Sequence, residues 1–265
     1  MVSLTGVRLK IPAGTSRKEY PFSLRIVKSL KRLVFDSPVT FLCGENGSGK
    51  STLVEALACA VGLPAVGSSD TGRDETLSHV RGLSRLLTCE WAVKTHRGFF
   101  LRAEDFFGFV RHLGRLRSEL RDEKDNFSRE LSGYGRDLAV GAMEGQIAAL
   151  RTRYGENPDG RSHGESFLAL FQSRFVPGGL YLLDEPEAPL SPQRQLAFLA
   201  LVKDMVEKDC QFIIATHSPV LMAYPGAVIY SLDRDPVRQT GYEDLEHVKF
   251  TKEFLAAPGR FLKHL

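Results

Sequence analysis

Gly44, Gly49, Lys50 and Ser51 stand at the spacing G-x-x-x-x-G-K-S within Phe41-Leu-Cys-Gly-Glu-Asn-Gly-Ser-Gly-Lys-Ser-Thr52. In that pattern the backbone N–H groups of Glu45, Asn46, Gly47, Ser48 and the residues through Thr52 can curl around a chain of phosphates. Lys50 is then expected to reach the β- and γ-phosphates, and the Ser51 hydroxyl to hold Mg²⁺. A glycine-rich turn without a ligand is the plain alternative, but the flanks argue against it. An apolar run, Val39 to Cys43, leads into the loop and a helix-like run, Ser51 to Val61, leaves it. A helix starting there adds its positive end to the N–H groups. The expected ligand is a nucleoside triphosphate.

Two further apolar runs end in residues able to do chemistry. Gly179 to Leu183 is followed by Asp184-Glu185-Pro186, and Gln211 to Ala215 by Thr216-His217-Ser218-Pro219. Continuous apolar runs suit strands buried on both faces of a parallel sheet. Open α/β sheets bind their ligands at the carboxyl ends of such strands. Asp184 is expected to help hold Mg²⁺, Glu185 to polarise the attacking water, and His217 to hydrogen-bond the γ-phosphate. Taken singly, an acidic turn or a structural histidine would explain each. Ser162-His-Gly-Glu-Ser166 opens another helix-like run, Phe167 to Phe175, with Ser162 as N-cap and Glu165 as its capping-box partner. This is a helix cap, and it becomes a site only if a phosphate approaches from outside.

Over residues 39 to 219 these elements, in this order, resemble the nucleotide-binding heads of ATP-binding-cassette (ABC) ATPases. Gly44 to Thr52 is similar to Walker A, Leu180 to Glu185 to Walker B, Ser191-Pro192 to the D-loop, and His217 to the switch histidine. Ser162-His163-Gly164-Glu165 is similar to the signature L-S-G-G-Q or L-S-G-G-E. Phe99 to Glu104, Ser162 to Leu170, Leu190 to Gln195 and Phe254 to Leu265 resemble a family of small stand-alone bacterial ATPases. That family is related to repair- and defence-type ATPase heads.

The resemblance implies an ATP hydrolase whose ATP is sandwiched between two copies arranged head to tail. Walker A, Walker B and His217 would come from one copy, and Ser162 with the Gly164 N–H from the other. ATP would join the homodimer, hydrolysis would release it, and a monomer would turn over slowly. Two positions depart from the pattern. Arg161 and His163 replace the Leu and first Gly of the signature. No glutamine stands at the Q-loop, where Glu104 could substitute or could simply be an exposed acid beginning a helix. Two alternatives stay open: the nucleotide-binding subunit of a membrane transporter, and a nucleic-acid or defence-associated ATPase controlling a separate effector. The altered signature, the missing glutamine and the His-Ser-Pro form weigh against the transporter.

The elements that must position these residues form one α/β domain over residues 1–265. The expected fold is that of a P-loop NTPase, an ABC-ATPase-like head with a mainly parallel sheet. A mostly helical insertion occupies residues 63–160. Within it, Pro64 to Glu75 reads as a loop and Leu87 to Leu101 as strand-like runs around Trp91. Phe106, Val110, Leu113, Leu116 and Leu120 then recur at helical spacing. Arg115 to Glu130 mixes both signs and reads as a solvated helix face. Arg111, Arg115, Arg117 and Arg121 could instead touch phosphate. The insertion is too short for a long coiled-coil arm and reads as a compact lid or helical subdomain. Phe99, Phe100, Phe106, Phe107 and Phe109 are expected in the core. Tyr20 or Phe22 could stack on adenine or could simply pack the first sheet. The tail from Tyr242 reads as helix broken at Pro258-Gly259, with no assigned chemistry.

Composition narrows the classes further. In 265 residues with 25% charged and 43% hydrophobic side chains, a formal net charge of +3 is too weak to imply nucleic-acid binding without a local patch. Met1 to Lys10 has no signal-peptide core, and the apolar stretch Thr52 to Val66 is interrupted by Glu55 and Gly62. Neither supports export or membrane insertion. Cys43, Cys59, Cys89 and Cys210 are scattered without a C-x-x-C pair, which fits reduced thiols in the cytoplasm rather than zinc or disulfides. Cys43 and Cys210 adjoin apolar runs and are expected to pack in the core.

Overall fold

The computed structural model describes residues 1–66, 71, 74–154 and 163–263. Strands β1 (Leu4–Leu9) and β2 (Arg32–Val34) are joined through α1 (Arg25–Ser29). After them come β3 (Val39–Cys43), α2 (Lys50–Val61), α3 (Arg81–Ser84), β4 (Leu87–Trp91) and β5 (Gly98–Arg102). Helices α4 (Ala103–Glu130), α5 (Gly133–Tyr154) and α6 (His163–Arg174) lead to β6 (Leu180–Asp184). Next are α7 (Pro192–Val206), β7 (Gln211–Ala215), α8 (Pro219–Met222), β8 (Val228–Ser231) and β9 (Arg238–Gln239). The tail forms α9 (Glu246–Ala256) and α10 (Pro258–Leu262).

The larger sheet has the order β5-β6-β7-β3-β8-β9, parallel except for the antiparallel edge β9. Every residue of β3, β6 and β7 is buried, as the continuous apolar runs require. Alternate side chains fill two cores. Leu42, Phe100, Leu182 and Ile213 pack against α2 and the smaller antiparallel sheet β2-β1-β4. Phe41, Tyr181, Leu183, Phe212 and Ile214 pack on the other side against α6 and α7. Cys43 and Cys210 are buried there as expected. This is the α/β P-loop architecture, with a mostly parallel sheet covered by helices.

One glycine controls the edge of that sheet. Gly98 has φ 120°, and a Cβ there would lie 1.8 Å from the Leu180 carbonyl oxygen. β5 could not accept a side chain at this place without parting from β6. Gly98→Ala is therefore expected to destabilise the fold by about 3 kcal/mol or more, read from the urea midpoint. An unchanged midpoint would show that β5 can shift freely. The smaller sheet is fastened elsewhere by the buried Gln211 side chain. Its Oε1 accepts from Ser3 N (3.0 Å) and Leu4 N (2.8 Å), while Nε2 donates to Leu4 O (2.8 Å).

Within residues 63–160, where a mostly helical insertion is expected, β4 and β5 join the two sheets and α4 and α5 form an antiparallel hairpin. Arg117 Nη2 donates to Leu150 O at 3.1 Å and Lys124 approaches Glu144 at 3.4 Å, so α5 runs back along α4. At 28 residues α4 extends roughly 40 Å. Arg117 is buried against α5, which removes it from any exposed phosphate-binding stripe. Phe99, Phe100 and Phe106 lie in the core as expected; the side chains of Phe107 and Phe109 fall outside the described set. Part of the expected loop after Pro64 instead extends the sheet. Val66 N donates to Phe100 O and Phe100 N to Pro64 O, both at 2.9 Å. The tail is helical and turns at Ala257 before Pro258, as the sequence suggested. Among the described residues, no helix is long and apolar enough to cross a membrane.

Candidate nucleotide site

The strand–loop–helix unit is built from β3, Gly44 to Gly49, and α2. Gly49 has φ 95°, and a Cβ there would meet Ile26 Cγ2 at 2.5 Å; glycine lets α1 pack directly beneath the loop. Glu45 N donates to Asp233 Oδ1 at 2.7 Å, anchoring the loop's first turn to the segment after β8. Lys50 is buried, and its Nζ donates to the carbonyls of Gly44 (2.8 Å) and Glu45 (3.0 Å). Burial lowers the pKa of this ammonium, while Glu185, Asp184 and Asp233 oppose the shift.

Asp184 closes β6 beside the start of α2. Ser51 Oγ donates to Asp184 Oδ1 at 3.1 Å. Burial chiefly pushes the Asp184 carboxyl up to about 7; the Ser51 bond opposes that, Glu185 and Glu55 add to it, and Lys50 opposes it. A desolvated carboxylate beside a hydroxyl is a hard-oxygen pair that gains from a cation, so these residues fit Mg²⁺.

Glu185 follows with φ 50°, a left-handed turn that a non-glycine residue adopts at some cost. Its N–H donates to Ala215 O at 2.9 Å, fixing the turn against the end of β7. His217 Nε2 stands 3.7 Å from Glu185 Oε1, and both side chains are partly exposed. The His217 N–H donates to Glu187 Oε1 at 2.7 Å. Thr216 N donates to Leu42 O at 3.1 Å, tying this turn to β3. Ser218 Oγ accepts from Val220 N and Leu221 N and donates to Gln195 Oε1 of α7. Thr216 and Ser218 thus serve the turn's own scaffold.

The phosphate loop, Asp184, Glu185 and His217 therefore converge at one edge of the sheet. The proposed signature residues stand differently. Ser162 lies outside the described residues. Gly164 is buried in the first turn of α6, and a Cβ there would meet Arg194 Cδ at 2.7 Å and Pro189 O at 3.0 Å. Glu165 Oε1 accepts from Arg194 Nη2 of α7 at 2.9 Å, and the capping box expected between Glu165 and Ser162 falls outside the described residues.

Glu104 is exposed at the start of α4, whereas the end of β5 presents Arg102. Its guanidinium grips Asp105 (2.9 and 3.0 Å), Glu55 of α2 (3.3 Å) and Thr76 (2.8 Å). Tyr20 Oη is 2.8 Å from Thr52 Oγ1, and its ring stacks on His79 at 5.7 Å. Phe22 packs on the core instead.

Glu187, Asp233, Arg102 and His247 were missed by motif reading. Only Glu187 had a local signal, as a third acid in the turn after β6. His247, on α9, lines a cleft of about 480 Å³ with Glu45, Asn46, Gly47, Ser48, Asp233 and Arg234.

Comparison with known proteins adds an independent line. Residues 23–85 match a family model described as "AAA domain". Residues 166–223 match one described as "AAA domain, putative AbiEii toxin, Type IV TA system". An "uncharacterized ABC transporter ATP-binding protein" of Haemophilus influenzae is 25% identical over 247 residues, covering 91% of this chain and 88% of its own. The macrolide export ATP-binding/permease protein MacB of Shigella dysenteriae is 24% identical over 244 residues; the match covers 90% of this chain and 34% of the relative's length. A solved structure from Clostridium perfringens, described as part of an ABC transporter complex, is 16% identical with a TM-score of 0.46, covering 99% of this chain and all of its own.

Proposed function

We propose that this chain, an ABC/AAA-like P-loop ATPase, hydrolyses ATP with Mg²⁺ at a composite site between two copies and acts as an ATP-driven switch in the cytoplasm. The observation that carries this reading is the meeting of Lys50, Asp184, Glu185 and His217 at the ends of three neighbouring parallel strands. In it, the loop N–H groups and Lys50 bind the phosphates. Ser51 and Asp184 would hold Mg²⁺, which would supply positive charge against the developing charge of the transferred phosphate. Glu185, lifted out of the strand by its left-handed turn, orients the attacking water and draws its proton. His217 bonds the γ-phosphate through Nε2, its loop held by Glu187. Ser162 and Gly164 of a second copy close the site from the opposite side.

The composite site has a direct test. Glu185→Gln protein is expected to sediment as a dimer with ATP and Mg²⁺ and as a monomer without nucleotide. Adding Ser162→Arg should leave ATP binding intact and keep the protein monomeric. A double variant that still dimerises with ATP would sink the composite arrangement.

A second reading, the ATP-binding subunit of a membrane transporter, is favoured by the Haemophilus influenzae relative, whose match spans nearly all of both chains. It uses the same ATP chemistry and differs in partner. Co-fractionation with membranes supports it, and a chain that stays in the supernatant supports the free switch.

A further inference from the structure

Several buried side-chain polar atoms among the described residues have no hydrogen-bond partner, and three of them, Ser48 Oγ, His217 Nε2 and His247 Nε2, lie around the phosphate loop. Each such atom needs an explanation, and three grouped at a phosphate loop have one in a bound phosphate. Ser48 belongs to the loop and His217 to the turn after β7. His247 belongs to no motif, and the reading above gives it no task.

Its position is specific. The sheet flanks β3 with β7 on one side and β8 on the other. His217 follows β7, while His247 arrives from the β8 side on the first turn of α9. Leu245 and Val248 are buried in the core on either side of it, so the helix start is anchored. His247 shares a cleft wall with Glu45 to Ser48 and lies within the electrostatic reach of Lys50 and His217. Asp233, in the same cleft, already accepts the Glu45 N–H. Burial foremost, then His217, lowers the His247 pKa; the neutral imidazole donates from one nitrogen and accepts at the other.

We infer that His247 is a nucleotide-binding residue, its Nε2 donating a hydrogen bond to the terminal phosphate of the bound triphosphate, so that the phosphate loop receives one imidazole from the turn after β7 and one from the start of α9. This rests on the phosphate-loop assignment and adds a contact from the C-terminal helix, which the motifs do not contain. A diphosphate lacks the group that His247 meets, so the contact favours ATP over ADP.

The test is equilibrium titration of ATP and of ADP, each with Mg²⁺, into Glu185→Gln protein with and without a change at His247. His247→Ala is expected to weaken ATP at least about tenfold and leave ADP unchanged. His247→Gln, whose amide can still donate, should recover part of the loss; it also carries the test if the alanine variant unfolds. Equal losses for ATP and ADP, or none, would overturn the assignment. Lys50→Ala serves as the separate control. If it binds both nucleotides normally, the phosphate-loop reading fails, whatever His247 does.

Discussion

Glu185→Gln should bind ATP as wild type does and turn it over about 10²–10⁴-fold more slowly, the range that a positioned general base supplies. The substitution is nearly isosteric. The left-handed turn is made by the backbone, and the Glu185 N–H keeps its bond to Ala215 O. What disappears is a carboxylate able to accept a proton from water, 3.7 Å from His217. Phosphate release at saturating ATP measures the loss, and a nucleotide titration checks that binding survives. A normal hydrolysis rate would remove Glu185 from the mechanism and leave the His217 side of the site to orient the water.

Lys50→Ala acts one step earlier, on binding. Lys50 is 4% exposed and offers its ammonium from inside the loop's curve. Deleting it removes the cation that faces the β- and γ-phosphates and leaves Asp184, Glu185 and Asp233 without their shared counter-charge. An anionic ligand then meets acids where it had met a base. ATP affinity should fall about 10²–10³-fold, the scale on which one preorganised donor matters in a water-poor site. Binding unchanged from wild type would mean that Gly44 to Thr52 is a structural turn.

The residues proposed to carry the chemistry were legible because each sits where a local signal ends. The apolar runs of β3, β6 and β7 are buried throughout; Asp184 ends β6 with Glu185 next to it, His217 stands two residues past β7, and Lys50 opens α2 after the loop that leaves β3. Contacts that close over long separations left no such mark. Asp233 holds the Glu45 amide from 188 residues away, and no motif surrounds it. His247 reaches the same cleft from the tail, where helical spacing was visible but the direction of one side chain was not. Glu165 shows a tertiary contact beside a local signal. The sequence shows a cap there but not the ion pair that Glu165 makes with Arg194, 29 residues on. Arg102, two residues before Glu104, ties together α2 and the start of α4 through contacts that no local pattern marks.

The order of the sheet also has a consequence for how the chain is made. β3 lies at the middle of the sheet, and the strands that flank it, β7 and β8, come from the last third of the sequence. The N-terminal sheet waits on the same region, since Ser3 is held by Gln211, 208 residues later. At ordinary translation speeds that is about 10 to 40 s of synthesis. Throughout that interval the most apolar strand of the nucleotide site has neither neighbour. A ribosome-bound chain halted before Gln211 would carry β3 with both edges unpaired. Chaperone capture is therefore expected to be strongest on nascent chains of that length, and to fall away once the β8 segment has emerged.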